Sequence, residues 1–261
     1  MTEDATTPIL TREGAVATLR LNRPRHLNRI EPPDLAALAE ALDAVEADPA
    51  LRVLVFTGTG RAFSAGYHLG DLATRPDAAV TTGGPQLSFE DVATRLENLR
   101  LPVICRLNGG VYGGSTDLAL CCDFRIGLDS MEMFMPAARL GIHYYPSGMV
   151  RYVSRLGLNA AKRLFLTAEK LAAPELLAIG YLTQMVPADG LDAAVDGLAQ
   201  RLAALAPLAV QGMKRALNEI ARGEFDAAGC AARAQASQAS DDVREGLAAF
   251  REKRTPVFSG R

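Results

Sequence analysis

Two glycine-bearing runs carry the strongest chemical signal in the chain: Gly58-Thr-Gly-Arg-Ala-Phe-Ser-Ala-Gly-Tyr67 and Asn108-Gly-Gly-Val-Tyr-Gly-Gly-Ser-Thr-Asp117. Each reads as a strand ending in a small-residue turn that opens a helix. Backbone N–H groups at such a turn have no partner along the chain and can point at a ligand. Two such turns facing one pocket form an oxyanion hole, in which main-chain amides hold developing negative charge. Other chemistries fit less well. Ser64 and Ser115 lack the Gly-x-Ser-x-Gly elbow of a serine hydrolase. Gly58-Thr-Gly60 is not followed by the glycine of a dinucleotide fingerprint. His26, His68 and His143 are too widely spaced for a metal site.

The elements that must position these turns follow from local pattern. Ile9–Arg12 and Val16–Leu21 alternate as strands around the Glu13-Gly14 turn signal. Pro32-Pro33 opens an Ala/Leu-rich helix that Asp48-Pro49 stops. Arg52–Thr57 has the composition of a buried strand, and Pro102–Leu107 and Asp123–Gly127 read as two more. Thr81–Pro85 is a loop, and Ser88 caps a helix running to about Leu99. From Gly148 onward helical patterns dominate, punctuated by Pro174, Pro187, Pro207 and Gly223, with Gly190–Ala206 and Asp241–Phe250 as amphipathic helices. Strands alternating with helices imply an α/β core. A helix-rich tail of this kind buries its apolar face on the core or on neighbouring subunits.

Bulk properties exclude several classes. The chain has 261 residues, 49% hydrophobic and 22% charged, as expected of an ordinary soluble domain. A net charge of -2 offers no nucleic-acid footprint, and no apolar run reaches bilayer length. The acidic start Met1-Thr-Glu-Asp lacks the layout of a secretory signal or transit peptide. Cys105, Cys121, Cys122 and Cys230 form no Cys-x-x-Cys pair and read as small buried hydrophobes in a reducing compartment, which makes the cytoplasm the expected location.

Taken in order, segments along nearly the whole chain resemble the crotonase (enoyl-CoA hydratase/isomerase) superfamily. They are Asn22-Arg-Pro24 through Leu27-Asn28; Gly60-Arg-Ala-Phe-Ser-Ala-Gly66; Pro102-Val-Ile, Asn108-Gly, Gly113-Gly114, Asp117-Leu and Cys122-Asp-Phe-Arg; Leu140-Gly-Ile with Leu156-Gly and Ala178-Ile-Gly180; and Gly246-Leu-Ala-Ala-Phe250 with Lys253-Arg-Thr-Pro256-Val-Phe. The resemblance implies an α/β spiral of ββα units with a helical C-terminal trimerisation region, divided as residues 1–195 and 196–261. It implies a homotrimer or dimer of trimers and a coenzyme A thioester as substrate. It implies no permanently bound cofactor, while the charge balance and the lack of a bilayer-length apolar run point to no nucleic-acid or membrane partner.

By the same resemblance the N–H groups of Tyr67 and Gly114 are the oxyanion donors, with the helix after Gly114 adding its dipole. A thioester carbonyl becomes an enolate when a proton or carboxylate leaves the α-carbon, or when a nucleophile adds at the β-carbon. Hydratases of the superfamily activate water with two glutamates. Here the first maps to Asp117, one methylene shorter, and the second to Ala137 after Pro136, which transfers no proton. Asp117 is thus the remaining acid–base candidate, unless it is a buried helix carboxylate paired with an arginine. His143, Tyr144 and Tyr145 are candidates to face the acyl pocket. Tyr144 stands about where decarboxylating members carry a tyrosine. Arg25, Leu27, Ala62, Ala65, Gly66, His68, Leu69, Gly113, Pro136, Ala137, Leu140, His143 and Tyr145 line the CoA and acyl channel. His68 is either an acid–base group or a backbone-bonded one, and Lys253 is a phosphate candidate. The expected activity is of enoyl-CoA hydratase/isomerase type. Decarboxylation or thioester hydrolysis on the same scaffold, and a non-catalytic acyl-CoA binder, are the rivals.

Overall fold

The computed structural model describes residues 7–68, Gly70 and 87–261. The expected lining residue Leu69 and the loop expected at Thr81–Pro85 lie outside the described residues. The chain opens with a hairpin of β1 (Ile9–Glu13) and β2 (Val16–Leu21), paired antiparallel through Glu13↔Val16. Helix α1 (Pro32–Ala47) begins with its two prolines in the first turn, where a missing N–H costs nothing, and Asp34 closes the start by accepting from Glu31 N at 2.8 Å.

Next comes a repeating unit. Strand β3 (Val53–Gly58) runs into the short β4 (Ala62–Ser64), then the chain reaches helix α2 (Phe89–Asn98). Strand β5 (Val103–Leu107), β6 (Gly110–Tyr112) and helix α3 (Ser115–Cys121) repeat it. Strands β7 (Phe124–Leu128) and β8 (Glu132–Phe134) begin a further unit, which leads to α4 (Pro146–Leu156). The first strand of each unit enters a six-stranded sheet ordered β1-β2-β3-β5-β7-β10, where β10 is Gln184–Val186. The second enters a four-stranded sheet ordered β4-β6-β8-β9, where β9 is Lys170–Ala172. This is the spiral of ββα units expected from the sequence.

Every residue of β3 is buried, because a central parallel strand is covered on both faces. The main core lies between the sheets and helices and includes Phe56, Phe63, Leu118 and Tyr152. Behind the large sheet, Val53, Val55, Ile104 and Ile126 meet Leu191, Val195 and Ala199 of α7 (Leu191–Ala203). The expected division at 195/196 therefore falls inside a helix that packs on the sheet along its length, and α7 belongs with the core. Between α4 and α7 lie α5 (Leu158–Lys162) and α6 (Ala173–Ala178), and after α7 come α8 (Pro207–Arg222), α9 (Ala227–Gln238) and α10 (Asp241–Glu252). Pro207 starts α8 and Gly223 ends it in a left-handed cap (φ 73°), so both signals mark helix boundaries. Pro174 sits harmlessly in the first turn of α6. Among the described residues no single helix is long and apolar enough to cross a membrane.

Candidate functional site

Strands β4 and β6 are parallel neighbours in the small sheet. Their C-terminal ends therefore deliver Ala65-Gly66-Tyr67 and Gly113-Gly114 side by side, although the turns are far apart in the chain. Gly66 has φ +94°, and a Cβ there would lie 2.6 Å from Tyr112 O and 3.3 Å from Gly114 N. Only glycine allows that approach, and Gly113 likewise takes a positive φ (+54°) just before α3. On the other side of the first turn, Ile30 N donates to Gly66 O and His68 N donates to Ile30 O, both at 2.9 Å. Successive amides of an extended segment point opposite ways. The Tyr67 N–H is thus turned away from Ile30.

Motif residues clamp this geometry. Asn28, buried, donates from Nδ2 to Thr59 O (2.8 Å) and Ala62 O (2.9 Å), and Asn108 donates to Gly60 O (2.7 Å) and Ala62 O (3.0 Å). Ser64 Oγ donates to Asn28 O at 2.8 Å and accepts from Gly66 N at 3.0 Å. Ser115 Oγ lies 3.0 Å from Ser64 O and 2.7 Å from Tyr112 O, between the two turns. Both serines are buried structural ties.

Aromatic rings form the adjoining wall. A Cβ on Gly114 would meet the Phe89 ring at 3.1 Å. Phe89 packs at 5.5 Å on Tyr67 and at 6.2 Å on Tyr145, which stacks on Tyr144 at 4.3 Å. Tyr144 continues to Phe165 and Tyr152. Burial, reinforced by the negative charge of Asp117, holds the Tyr144 and Tyr145 hydroxyls well above the ordinary phenol range. They are therefore hydrogen-bonding phenols at any physiological pH.

Asp117 is fully buried one turn into α3, and its oxygens accept from Arg151 Nε (3.0 and 3.2 Å), Arg151 Nη2 (2.7 Å) and Tyr145 Oη (2.6 Å). Three donors, Arg151 Nε and Nη2 and Tyr145 Oη, hold the carboxylate in place. Asp117 is the buried partner of an arginine, the alternative that the sequence leaves beside an acid–base role. Burial opposes the charge on Arg151, but Cys121, Asp117 and Glu97 together outweigh it and hold the guanidinium's pKa above its usual value.

The remaining expected positions divide. Ala62 and Gly66 are buried in the first turn, with Ala65 partly exposed beside them, and Ala65 N donates to Leu27 O at 2.7 Å. His68 Nδ1 sits 2.9 Å from Glu31 Oε2, so its partner is a carboxylate and not backbone. His143 is exposed and its Nδ1–H donates to Tyr144 O at 2.8 Å, so it turns back on its own loop instead of facing the rings. Ala137 is buried after the half-buried Pro136, whereas Leu140 and Arg25 are exposed. Lys253 closes α10 with a left-handed backbone (φ 54°). The sequence reading missed Phe89, Arg151 and Glu97. The Ser88 cap placed Phe89 at a helix start, but nothing in the local pattern marked its ring as a wall. A cavity of about 570 Å³ lies elsewhere, between Glu46, Glu97 and Arg100 on one side and Lys214, Asn218 and Arg222 on the other.

The ββα spiral has known counterparts. Residues 11–261 match the family model described as enoyl-CoA hydratase/isomerase. The chain belongs to the enoyl-CoA hydratase/isomerase family. A crotonyl-CoA hydratase of Syntrophomonas wolfei is 33% identical over 255 residues, covering 96% of each chain. A 2,3-dehydroadipyl-CoA hydratase of Escherichia coli is 33% identical over 97% of this chain and 98% of its own. Among solved structures, an enoyl-CoA hydratase/carnithine racemase from Magnetospirillum magneticum superposes with a TM-score of 0.88 at 28% identity, covering 97% and 96% of the two chains. As a member of the enoyl-CoA hydratase/isomerase family, this protein is an acyl-CoA-processing enzyme of hydratase/isomerase type.

Proposed function

We propose that the enzyme holds the thioester oxygen of its acyl-CoA substrate between the N–H groups of Tyr67 and Gly114 and works through the enolate. The observation that carries this reading is the approach of the two turns, with Gly114 N placed 3.3 Å from where a Gly66 Cβ would stand. Each preorganised donor in such a hole is worth about 3–4 kcal/mol of barrier. The acyl chain beyond the carbonyl then meets Phe89, Tyr145 and Tyr144. The substrate itself brings the CoA thioester, and the reaction as proposed draws on no resident cofactor.

Hydration or isomerisation of an enoyl-CoA, or dehydration of a 3-hydroxyacyl-CoA, is the leading reaction class, in line with the activities named for the relatives. A second reading, decarboxylation, is favoured by one observation: with Ala137 in one position and Asp117 held by Arg151 in the other, the polar groups nearest the rings are the Tyr144 and Tyr145 phenols. A screen of enoyl-, 3-hydroxyacyl- and malonyl-type CoA esters by mass spectrometry separates the two. Turnover of malonyl-type esters with none of enoyl esters selects decarboxylation, and silence across the panel overturns both. Gly114→Pro is the control. It removes one donor at a position whose φ of -56° suits proline, and retained turnover in a folded variant would reject the oxyanion assignment.

We further propose a cytoplasmic homotrimer, or a dimer of trimers, built through the C-terminal helices. On α8 Met213, Leu217 and Ile220 stand 58%, 65% and 55% exposed at helical spacing, and Phe250 of α10 is 84% exposed. An apolar stripe of this kind is the usual mark of an interface. The free thiols Cys105, Cys121 and Cys122, all buried, suit a reducing compartment.

A further inference from the structure

The helices whose first residues surround the Gly114 amide are tied to one another deeper along their lengths. Phe89 opens α2, Gly114 caps α3 and Tyr145 caps α4. Below them Arg151 of α4, 1% exposed, lies between Asp117 of α3 and Glu97 of α2. Its Nε and Nη2 engage Asp117, its Nη1 donates to Glu97 Oε2 at 3.1 Å, and its Nη2 also reaches Ser147 Oγ at 3.1 Å. Glu97 is held from its other side by Arg155 Nη2 at 3.0 Å. Buried charge persists only when paired and hydrogen-bonded in this way. At the substrate end of the chain Tyr145 Oη donates a hydrogen bond to Asp117 Oδ2 at 2.6 Å, and Tyr144 Oη donates to Tyr145 Oη at 3.3 Å.

We propose that Arg151 is a positioning residue of the reaction: through Asp117 it fixes the Tyr145 hydroxyl beside the Gly114 amide, so that the polar group met by the acyl chain is a phenol and not the carboxylate. The inference rests on Gly114 N–H being a donor to the thioester oxygen. An unfastened Asp117 would rotate toward the acyl space and leave the phenol pair without an anchor. Fastened by a fork of two N–H groups, it has one orientation.

The test uses the full-length enzyme, the CoA ester turned over most rapidly in the panel, and butyryl-CoA, which cannot be hydrated, as the calorimetric binding probe. Tyr145→Phe keeps the ion pair and is expected to lower kcat about 10–100-fold while the Kd for butyryl-CoA stays within about twofold. The double variant Asp117→Asn with Arg151→Met, an uncharged pair, should show the same loss. Adding Tyr145→Phe to it should cost nothing more, because residues acting as a unit are not additive. A Tyr145→Phe enzyme with wild-type kcat overturns the proposal, as do losses that multiply in the triple variant. If the double variant does not fold, Tyr145→Phe decides alone. Gly114→Pro distinguishes the two levels: full turnover there removes the oxyanion assignment beneath the proposal. A dead Gly114→Pro with an unaffected Tyr145→Phe removes only the role of Arg151.

Discussion

At the scale of single residues, the site depends on atoms that are missing. Gly66 has no Cβ to strike Tyr112 O, and its φ of +94° is one that side chains rarely adopt. Gly66→Ala is therefore expected to cost roughly 1–3 kcal/mol of stability and about 10²-fold in turnover through displacement of the turn. Urea midpoints and CoA-ester kinetics check both, and an alanine variant that matches wild type in each would refute the account of the turn. The buried phenols and thiols give a second expectation. Tyr144, Tyr145, Tyr152 and Tyr181 lie well above the ordinary phenol range, and Cys121 and Cys122 well above the ordinary thiol range, chiefly through burial. Below about pH 8.5 both folded and unfolded chains keep these protons, and the stabilisation is complete. As pH climbs through about 8.5 for the thiols and about 10 for the phenols, the unfolded chain ionises first, so the folded state holds more protons and stability falls. Urea midpoints should be level near neutrality and drop steeply by pH 11. Tyr145→Phe should flatten the part of that drop above about pH 10.

At the scale of elements, short helices do the positioning, and their first residues matter more than their lengths. Ser88 Oγ accepts from Asp91 N at 3.1 Å and Asp91 Oδ2 accepts from Ser88 N at 2.8 Å, a reciprocal cap that fixes where α2 begins and hence where the Phe89 ring falls. Ser88→Ala should lose about 1 kcal/mol. Because Phe89 abuts Gly114, the variant should also raise KM for the CoA ester; a purely thermal effect with unchanged KM would show that the ring tolerates a frayed helix start. Helix α3 spans only two turns, and it is held from below by Tyr181 Oη donating to Thr116 O at 2.9 Å and by the Thr116–Tyr152 hydroxyl pair. The dipole of so short a helix is a minor addition to the amide itself. The order of the small sheet has a larger effect, because it makes β4 and β6 neighbours and puts both turns at one end.

At the scale of the whole molecule, the apolar stripe of α8 should govern assembly. Leu217→Glu is expected to shift the mass measured by light scattering toward the monomer, with the fold kept, since Leu217 is 65% exposed in the single chain; an unchanged oligomer mass would place the interface elsewhere. Much of this molecule could be read from residues in order. The two glycine runs, the strands they follow and the Pro32 and Ser88 helix starts are local facts, because backbone conformation at a turn is set by the residues in it. Ser64, Asn28 and Asn108 were visible as motif members, but their ties across the turns were not. The tertiary structure alone decided what Asp117 does. An arginine on an amphipathic helix carries no mark of its partner, and only the crossing of α2, α3 and α4 brings Arg151 between Asp117 and Glu97. A carboxylate on an open helix face can turn to several partners, whereas the same carboxylate buried against a guanidinium fork has one orientation. The sequence by itself determined where the two glycine turns fall. Packing determined which side chains remain available beside them, because availability depends on neighbours that lie far away along the chain.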